Sequence, residues 1–151
     1  MQYLTDHLMN YKKQVMFRLT ITSDQNPVLA YWEPHAPPFE ERLAGLKLLF
    51  EKGYQTSVSM EPFLSDPISV VTAIEPYITE SIWIGTMSGQ GHLKSLDPVE
   101  LKKLQDLYTI KSLTRIVNIL ANNPKIFWKG RLMELLHKEV NKKGQLDFSK
   151  K

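Results

Sequence analysis

Between residues 15 and 87, three short segments rich in β-branched and aromatic residues alternate with two amphipathic segments. Residues 15–22, 55–60 and 81–87 have the composition of buried strands. Residues 39–52 and 68–77 place apolar side chains at helical spacing. A strand–helix–strand–helix–strand order at this spacing predicts right-handed βαβ units and a parallel sheet. The fold class expected from the sequence is therefore α/β.

The segments on either side of this core predict further helices. Leu4, Leu8 and Tyr11 recur at i, i+4 and i+7, which is typical of the core-facing stripe of a short helix. Residues 28–38 form a proline-rich loop, and residues 89–92 form a flexible link. A long helix is expected from the capping box at residues 97–100 to about residue 121. A short apolar insert at 126–128 and a last helix carrying Leu132, Leu135, Leu136 and Val140 follow.

These segments suggest two regions. Residues 1–88 are expected to form a partial TIM-like (β/α) barrel of about three parallel strands, and residues 89–151 a basic helical C-terminal extension. Three parallel strands with open edges make a poor sheet on their own, and no strand precedes the first helix. We therefore expect a missing N-terminal barrel half or a second chain to complete the sheet.

The composition excludes several classes of site and suggests a compartment. The 151 residues include no cysteine, which excludes disulfides, thiolate zinc sites and cysteine-held iron–sulfur clusters in this chain. No His, Asp and Glu set has metal-ligand spacing, so no metal site is predicted. No apolar run approaches the roughly 18 residues of a membrane span, and the first residues have no signal-peptide core. The expectation is a cytoplasmic protein that does not enter a membrane.

Charge is unevenly distributed along the chain. Residues 1–93 carry 6 Lys and Arg against 10 Asp and Glu, a net charge of 6 − 10 = −4. Residues 94–151 carry 13 against 6, a net charge of +7. Such asymmetry is typical either of a solvated helical face or of a half that binds a polyanion such as nucleic acid.

Polar residues follow each predicted strand, at positions 22–24, 60–62 and 85–87. Ligand sites in parallel sheets gather at the carboxyl ends of the strands. Thr22, Ser23 and Glu61 are therefore candidates for binding, as are Glu33 and His35 in the proline-rich loop. Simpler structural interpretations remain open for all of them. Threonine and serine favour strands and turns, and Arg42 could pair with Glu40 or Glu41.

Five short motifs resemble one enzyme family when they are taken together. They are Leu-Thr-Ile-Thr-Ser at 19–23, Trp-Glu-Pro-His-Ala-Pro at 32–37, Arg-Leu at 42–43, Glu-Lys-Gly-Tyr at 51–54 and Ser-Met-Glu-Pro at 59–62. In this order the motifs resemble the radical S-adenosylmethionine superfamily, in its DNA repair photolyase or spore photoproduct lyase-like branch. The resemblance covers roughly residues 15–87 and implies that the chain supplies the fourth to sixth strand units of a (β/α)6 barrel.

The resemblance also implies roles for individual residues. Thr22 or Ser23 would contact the ribose of S-adenosylmethionine, and Arg42 would pair with its methionine carboxylate. Ser59 and Glu61 would border the adenine together with the sixth strand at Ile84 and Gly85. Glu33 and His35 would lie on the substrate side of the loop.

The chain departs from the family in one respect that matters for catalysis. The cluster motif Cys-x3-Cys-x2-Cys is absent, so this chain cannot hold the [4Fe–4S] cluster that cleaves the cofactor. A family of lyase- and transferase-like enzymes is implied, but this polypeptide is expected to be inactive alone and to contribute cofactor- and substrate-binding wall. The alternative hypothesis is a non-catalytic module whose basic half, including Lys94, Lys102, Lys103 and Lys111, binds nucleic acid.

Overall fold

A computed structural model of the chain describes residues 2–87, 97–138 and 145. Four strands form one parallel sheet, in the spatial order β1-β2-β3-β4 that matches their order in the sequence. Their bounds are β1 Met16–Thr20, β2 Gln55–Met60, β3 Ser81–Ile84 and β4 Ile126–Trp128. The predicted α/β class and parallel sheet are confirmed.

Seven α-helices and two 3-10 turns connect the strands within the described residues. The helices are α1 Gln2–His7, α2 Asn26–Trp32, α3 Phe39–Glu51, α4 Pro67–Ile74, α5 Pro98–Leu107, α6 Ile110–Leu120 and α7 Gly130–Leu135, and the 3-10 turns are Met9–Tyr11 and Glu75–Tyr77.

Local chemistry fixes several of these boundaries. The Asp66 carboxylate accepts a hydrogen bond from the Ile68 N–H, and Asp97 does the same for Val99, so each aspartate caps a helix that begins with proline. Gly53 has φ +75 directly after α3, the left-handed conformation in which glycine most easily ends a helix.

The parallel register gives the sheet two different faces. One face carries Val58 and Met60 of β2, Ile82 and Ile84 of β3, and the side chains of β4 at Ile126 and Trp128. Buried apolar side chains of α3, α4, α6 and α7 pack against this face and form one core with it. Four of the described helices therefore bury apolar residues on one side of the sheet.

Four predicted features of the secondary structure were wrong. Residues 126–128 are a strand rather than an insert, because Ile126 and Trp128 are buried in the core and the segment pairs with β3. The predicted long helix divides into α5 and α6, since the Thr109 side chain accepts a hydrogen bond from the Ser112 N–H and starts a new helix.

The other two corrections concern the N-terminal third. The loop predicted at 28–38 contains most of α2, which starts at an Asn-Pro pair. The predicted apolar stripe of the first helix does not face the core, because Leu4 and Tyr11 are 48% and 53% exposed.

The predicted division at residues 88 and 89 lies outside the described residues, as do Lys94 and Val140. Residues before this division form β1, β2 and β3, and residues after it form β4, α6 and α7. All of them belong to the same sheet or the same core. The C-terminal region thus continues the sheet and is not wholly helical. None of the helices in the described ranges has the length and apolar character needed to cross a membrane.

Candidate functional site

The sheet face opposite the helices, here called the open face, carries mostly polar and aromatic side chains. Parallel register aligns its residues in rows: Arg18 with Ser57 and Ser81, and Thr20 with Ser59, Trp83 and Phe127. Side chains on one strand alternate between faces, so these residues point away from the core. The open face consists of Met16, Arg18, Thr20, Gln55, Ser57, Ser59, Ser81, Trp83 and Phe127.

A hydrogen-bonded row crosses three strands of the open face. The Arg18 Nε–H donates to Ser57 Oγ at 3.1 Å, and the Ser57 hydroxyl is 2.9 Å from both the carbonyl oxygen and the hydroxyl of Ser81. The Trp83 Nε1–H donates to Ser81 Oγ at 3.1 Å. Ser57 and Ser81 are 0% and 7% exposed, because the larger Arg18 and Trp83 side chains cover them. The row therefore fixes the orientations of a guanidinium and an indole.

The open face also carries an aromatic pair, Trp83 and Phe127, with two cationic side chains near it. The Trp83 and Phe127 ring centroids are 5.0 Å apart with the planes 30° from parallel. The Arg18 guanidinium carbon is 5.8 Å from the Trp83 ring centroid, and Lys129 Nζ is 5.2 Å from it. These are cation–π distances, so both positive charges are held beside the indole.

At the carboxyl edge of the sheet, Glu61, Gly85 and Lys129 meet directly after β2, β3 and β4. Lys129 Nζ is 3.0 Å from Glu61 Oε2, and each side chain is about one third exposed. A Cβ atom on Gly85 would lie 2.8 Å from Lys129 Cγ and 3.2 Å from Glu61 Cγ. The glycine is therefore what allows these two side chains to cross the end of β3 and form their ion pair.

A second cluster brings together three of the residues predicted to bind cofactor or substrate. Thr22 Oγ1 donates to Glu33 Oε1 at 2.5 Å, and Arg42 Nη2 lies 2.6 Å from Glu33 Oε2. Arg42 also donates from Nε to the Pro37 carbonyl and from Nη1 to the Thr20 carbonyl. The pairing of Arg42 with Glu40 or Glu41, which was open in the sequence, is not the one formed. The cluster fastens the proline-rich loop to the end of β1.

The remaining predicted site residues lie apart from that cluster. Ser23 is fully buried, and its hydroxyl donates to Ser65 at 2.8 Å and accepts from the Gln25 N–H. His35 is exposed on the proline-rich loop. Ser59 lies in the middle of the open face, and Glu61 lies at its carboxyl end.

S-adenosylmethionine fits only some of the residues assigned to it. Thr22, Ser23 and Arg42 are 2%, 0% and 8% exposed, and their polar atoms contact other parts of the chain. In this arrangement they do not present groups to a ribose or to a carboxylate. Ser59 and Glu61 remain on an accessible surface, next to the aromatic pair.

Most of the basic residues that the structure describes in the C-terminal half have a partner within the chain. Lys102, Lys103 and Arg131 pair with carboxylates on their own helices, and Arg115 pairs with Asp66 of the α4 cap. The Lys125 ammonium donates to the Glu75 carbonyl at 3.3 Å. Such exposed ion pairs are common on solvated protein surfaces and do not by themselves indicate a nucleic-acid partner.

Sequence reasoning named Lys129 only as a nucleic-acid contact and favoured a core or loop role for Trp83, and it did not place Arg18, Trp83, Phe127 and Lys129 together in one site. The sequence did contain a signal for Arg18. A charged residue inside an apolar strand is expected on the face of the sheet that does not pack against the core. Phe127 and Lys129 could not be placed without recognising β4.

The comparisons give no relative for this chain: no protein-family model, no curated protein and no solved structure matches it.

Proposed function

We propose that this chain is the ligand-binding wall of a (β/α) barrel. In this proposal it is the C-terminal portion of a radical S-adenosylmethionine, iron–sulfur enzyme that lacks the cluster cysteines. The open face is the observation that carries the binding role, and the five sequence motifs carry the relation to that enzyme family. The chain contributes binding groups, and any cluster belongs to another polypeptide segment.

Consecutive strand order supports the barrel-wall part of this proposal. In a β/α barrel each strand pairs with the strand that precedes it in the sequence, and the connecting helices pack on the outside of the sheet. The inner face of the sheet is therefore free of helices. The described part of this chain has that arrangement, with a parallel sheet in the order β1-β2-β3-β4 and a core on one face only. In parallel β/α barrels, ligands bind where this inner face reaches the carboxyl ends of the strands, which is the position of Glu61, Gly85 and Lys129 here.

The side chains of the open face can recognise a flat ligand that carries hydroxyl or anionic groups. The Trp83 and Phe127 rings offer apolar area, and the Arg18 guanidinium retains donors beyond the Nε–H that binds Ser57. The Ser59 hydroxyl lies in the same row as Trp83 and can bond a ligand hydroxyl. Three kinds of binding group thus occur within two neighbouring rows of the sheet.

Calorimetric titration of the chain with S-adenosylmethionine tests the cofactor part of the proposal. We expect weak, saturable binding that Trp83→Ala and Glu61→Gln each weaken about tenfold, which corresponds to about 1.4 kcal/mol. Thr72→Ala is the matched control, since the Thr72 hydroxyl is exposed on α4, away from the open face, and bonds only its own helix. Binding that is absent, or that is unchanged in Trp83→Ala, contradicts the cofactor assignment.

The alternative proposal, nucleic-acid binding by the basic half, has a different signature. Phosphate contacts release counterions, so affinity for a DNA duplex falls steeply with salt. Reversing the charges of Lys102, Lys103 and Lys111 would abolish such binding while leaving a ligand on the open face unaffected. If no binding of DNA is detected at low salt, this alternative is excluded.

A further inference from the structure

Both outer strands of the sheet have an edge that pairs with no other strand within the described residues, although Arg42 Nη1 donates to the Thr20 carbonyl on the β1 edge and the Ile126 N–H on the β4 edge donates to the Asn123 carbonyl. β1 pairs only with β2, and β4 pairs only with β3. The Ile21 N–H donates to the Ser59 carbonyl, so odd-numbered residues of β1 bond β2 and even-numbered ones face outward. The N–H of Arg18 therefore points to the free edge. Free edges of this kind pair readily with another strand.

A groove of ≈ 620 Å³ runs along the free edge of β1 on the helix side of the sheet. Leu19 of β1 and Ala44, Gly45 and Leu48 of α3 form its apolar part, and the charged residues that line it are Glu33, Glu41 and Arg42, of which Glu33 and Arg42 pair with each other. Small residues such as Ala44 and Gly45 permit close approach of another helix. In parallel β/α architecture this is the position of the helix that follows the preceding strand.

Exposed apolar side chains concentrate just before this edge. Ten large hydrophobic residues are exposed among the described residues, and five of them fall between positions 3 and 16. The five are Tyr3, Leu4, Met9, Tyr11 and Met16, with exposures between 43% and 71%.

Charge distinguishes the two ends of the sheet. The N-terminal 93 residues have a net charge of 6 − 10 = −4 and contain β1, whereas residues 94–151 have a net charge of 13 − 6 = +7 and contain β4. Glu41 is exposed at the groove beside β1, and Arg131 is exposed on α7 just after β4. Head-to-tail contact between two copies would bring opposite charges together.

From these observations we propose that two copies of this chain close into one eight-stranded parallel barrel. The β4 edge of each copy pairs with the β1 edge of its partner, and α7 enters the partner's groove. Four strands in consecutive order are half of the eight at which a parallel β/α barrel closes, and closure leaves no free edge. The two open faces then line a common interior around a twofold axis. In this assembly the second copy takes the place of an N-terminal barrel half, so any iron–sulfur cluster would be held by a separate protein.

Light scattering coupled to size-exclusion chromatography tests whether the chain forms a dimer. Because no ligand is needed, the outcome is independent of the S-adenosylmethionine titration described above. We expect a mass of about 35 kDa, twice the 17.5 kDa of one chain. Arg18→Pro blocks the outward N–H of β1 and should give a folded monomer, since the bonds to β2 come from the odd-numbered residues. Arg18→Ala is the matched control; it removes the same side chain, keeps the N–H and should remain dimeric.

Charge reversal supplies a second test that does not depend on how well Arg18→Pro folds. Glu41→Arg should raise the dimer dissociation constant about tenfold or more. Adding Arg131→Glu to the same chain should return the dissociation constant to the wild-type value. Glu51→Arg makes the same charge change at the far end of α3 and should have no effect. A monomer at every concentration overturns the proposal, as does a dimer that neither Arg18→Pro nor Glu41→Arg weakens. Open-ended oligomers overturn it too, because they show that the contact does not close.

Discussion

Arg42 Nη2 lies 2.6 Å from Oε2 of Glu33, and this ion pair joins the first turn of α3 to the proline-rich loop. The two side chains are 7% and 24% exposed, so the pair is largely removed from water. Arg42 reaches the carbonyl oxygens of Thr20 and Pro37 as well, and Glu33 accepts the Thr22 hydroxyl. Thr22 and Arg42, which the resemblance assigned to the cofactor, and Glu33, which it assigned to the substrate, thus hold the strand end and the loop together.

Arg42→Met should therefore reduce the free energy of unfolding by about 3 kcal/mol, because Glu33 keeps a charge that has lost its partner. The measurement is urea denaturation followed by circular dichroism. Lys52→Met is the control, since the Lys52–Asp6 pair is more exposed and should contribute less than about 1 kcal/mol. If Arg42→Met is as stable as the wild type, the cluster has no structural role, and the assignment of Arg42 to a ligand carboxylate gains support.

The Tyr108 hydroxyl predicts a specific loss of stability at alkaline pH. It donates to the Phe63 carbonyl at 2.7 Å and accepts from the Met87 N–H at 3.2 Å, and burial raises the pKa of Tyr108 well above its usual value of 10. The folded chain therefore retains this proton at pH values where the unfolded chain loses it. The stabilisation is complete below about pH 10 and declines as the pH rises further.

Comparison with Tyr108→Phe isolates this effect from the titration of lysines. At pH 8 the variant should be less stable by about 1 kcal/mol, since two backbone groups lose their partner. The difference between the two proteins in urea midpoint should shrink as the pH rises beyond 10. A difference that is constant from pH 8 to pH 11 contradicts the burial of an un-ionised phenol.

Asp66 has two separable roles, as the cap of α4 and as the partner of Arg115 on α6. Asp66→Ala should cost about 1 kcal/mol for the cap and up to about 1 kcal/mol more for the half-exposed pair. Asp66→Asn keeps a capping oxygen and should lose the pair alone, and Asp97→Ala removes a comparable cap that forms no ion pair with any other residue the structure describes. Thermal denaturation of these variants, with Arg115→Ala to complete a double-mutant cycle, gives the two contributions. Equal losses for Asp66→Ala and Asp66→Asn would show that the cap contributes nothing.

How far the sequence determines the fold depends on the length and pattern of each segment. The β2 strand was predicted with its observed bounds, because Thr56, Val58 and Met60 alternate with serines and all three face the core. β4 was missed because three residues are too few to show a period of two, and its pairing with β3 is set by contacts distant in sequence.

The candidate site was less accessible to sequence reasoning than the fold. Residue type suggested Thr22 and Arg42 as ligand groups, but their partners depend on how the proline-rich loop folds back onto the end of β1. Glu61, like Thr22, was selected for its place at the carboxyl end of a strand, and Ser59 through the family resemblance; the structure places Ser59 and Glu61 on or beside the open face. A strand-end position therefore did not by itself distinguish a structural residue such as Thr22 from an accessible one such as Glu61.

Gly85 makes the sharpest prediction about the carboxyl edge of the sheet. In Gly85→Ala the new Cβ would lie 2.8 Å from Cγ and 2.9 Å from Cβ of Lys129, atoms too close to the backbone to move aside freely. We expect a loss of about 1–3 kcal/mol in the free energy of unfolding and disruption of the Glu61–Lys129 pair. Gly130→Ala is the matched control, since nothing lies within 4 Å of its added Cβ and alanine favours the helix that begins there. Thermal unfolding should place Gly85→Ala well below the wild type and Gly130→Ala at or above it, and equal midpoints for the two variants would contradict the close crossing of Lys129 over β3.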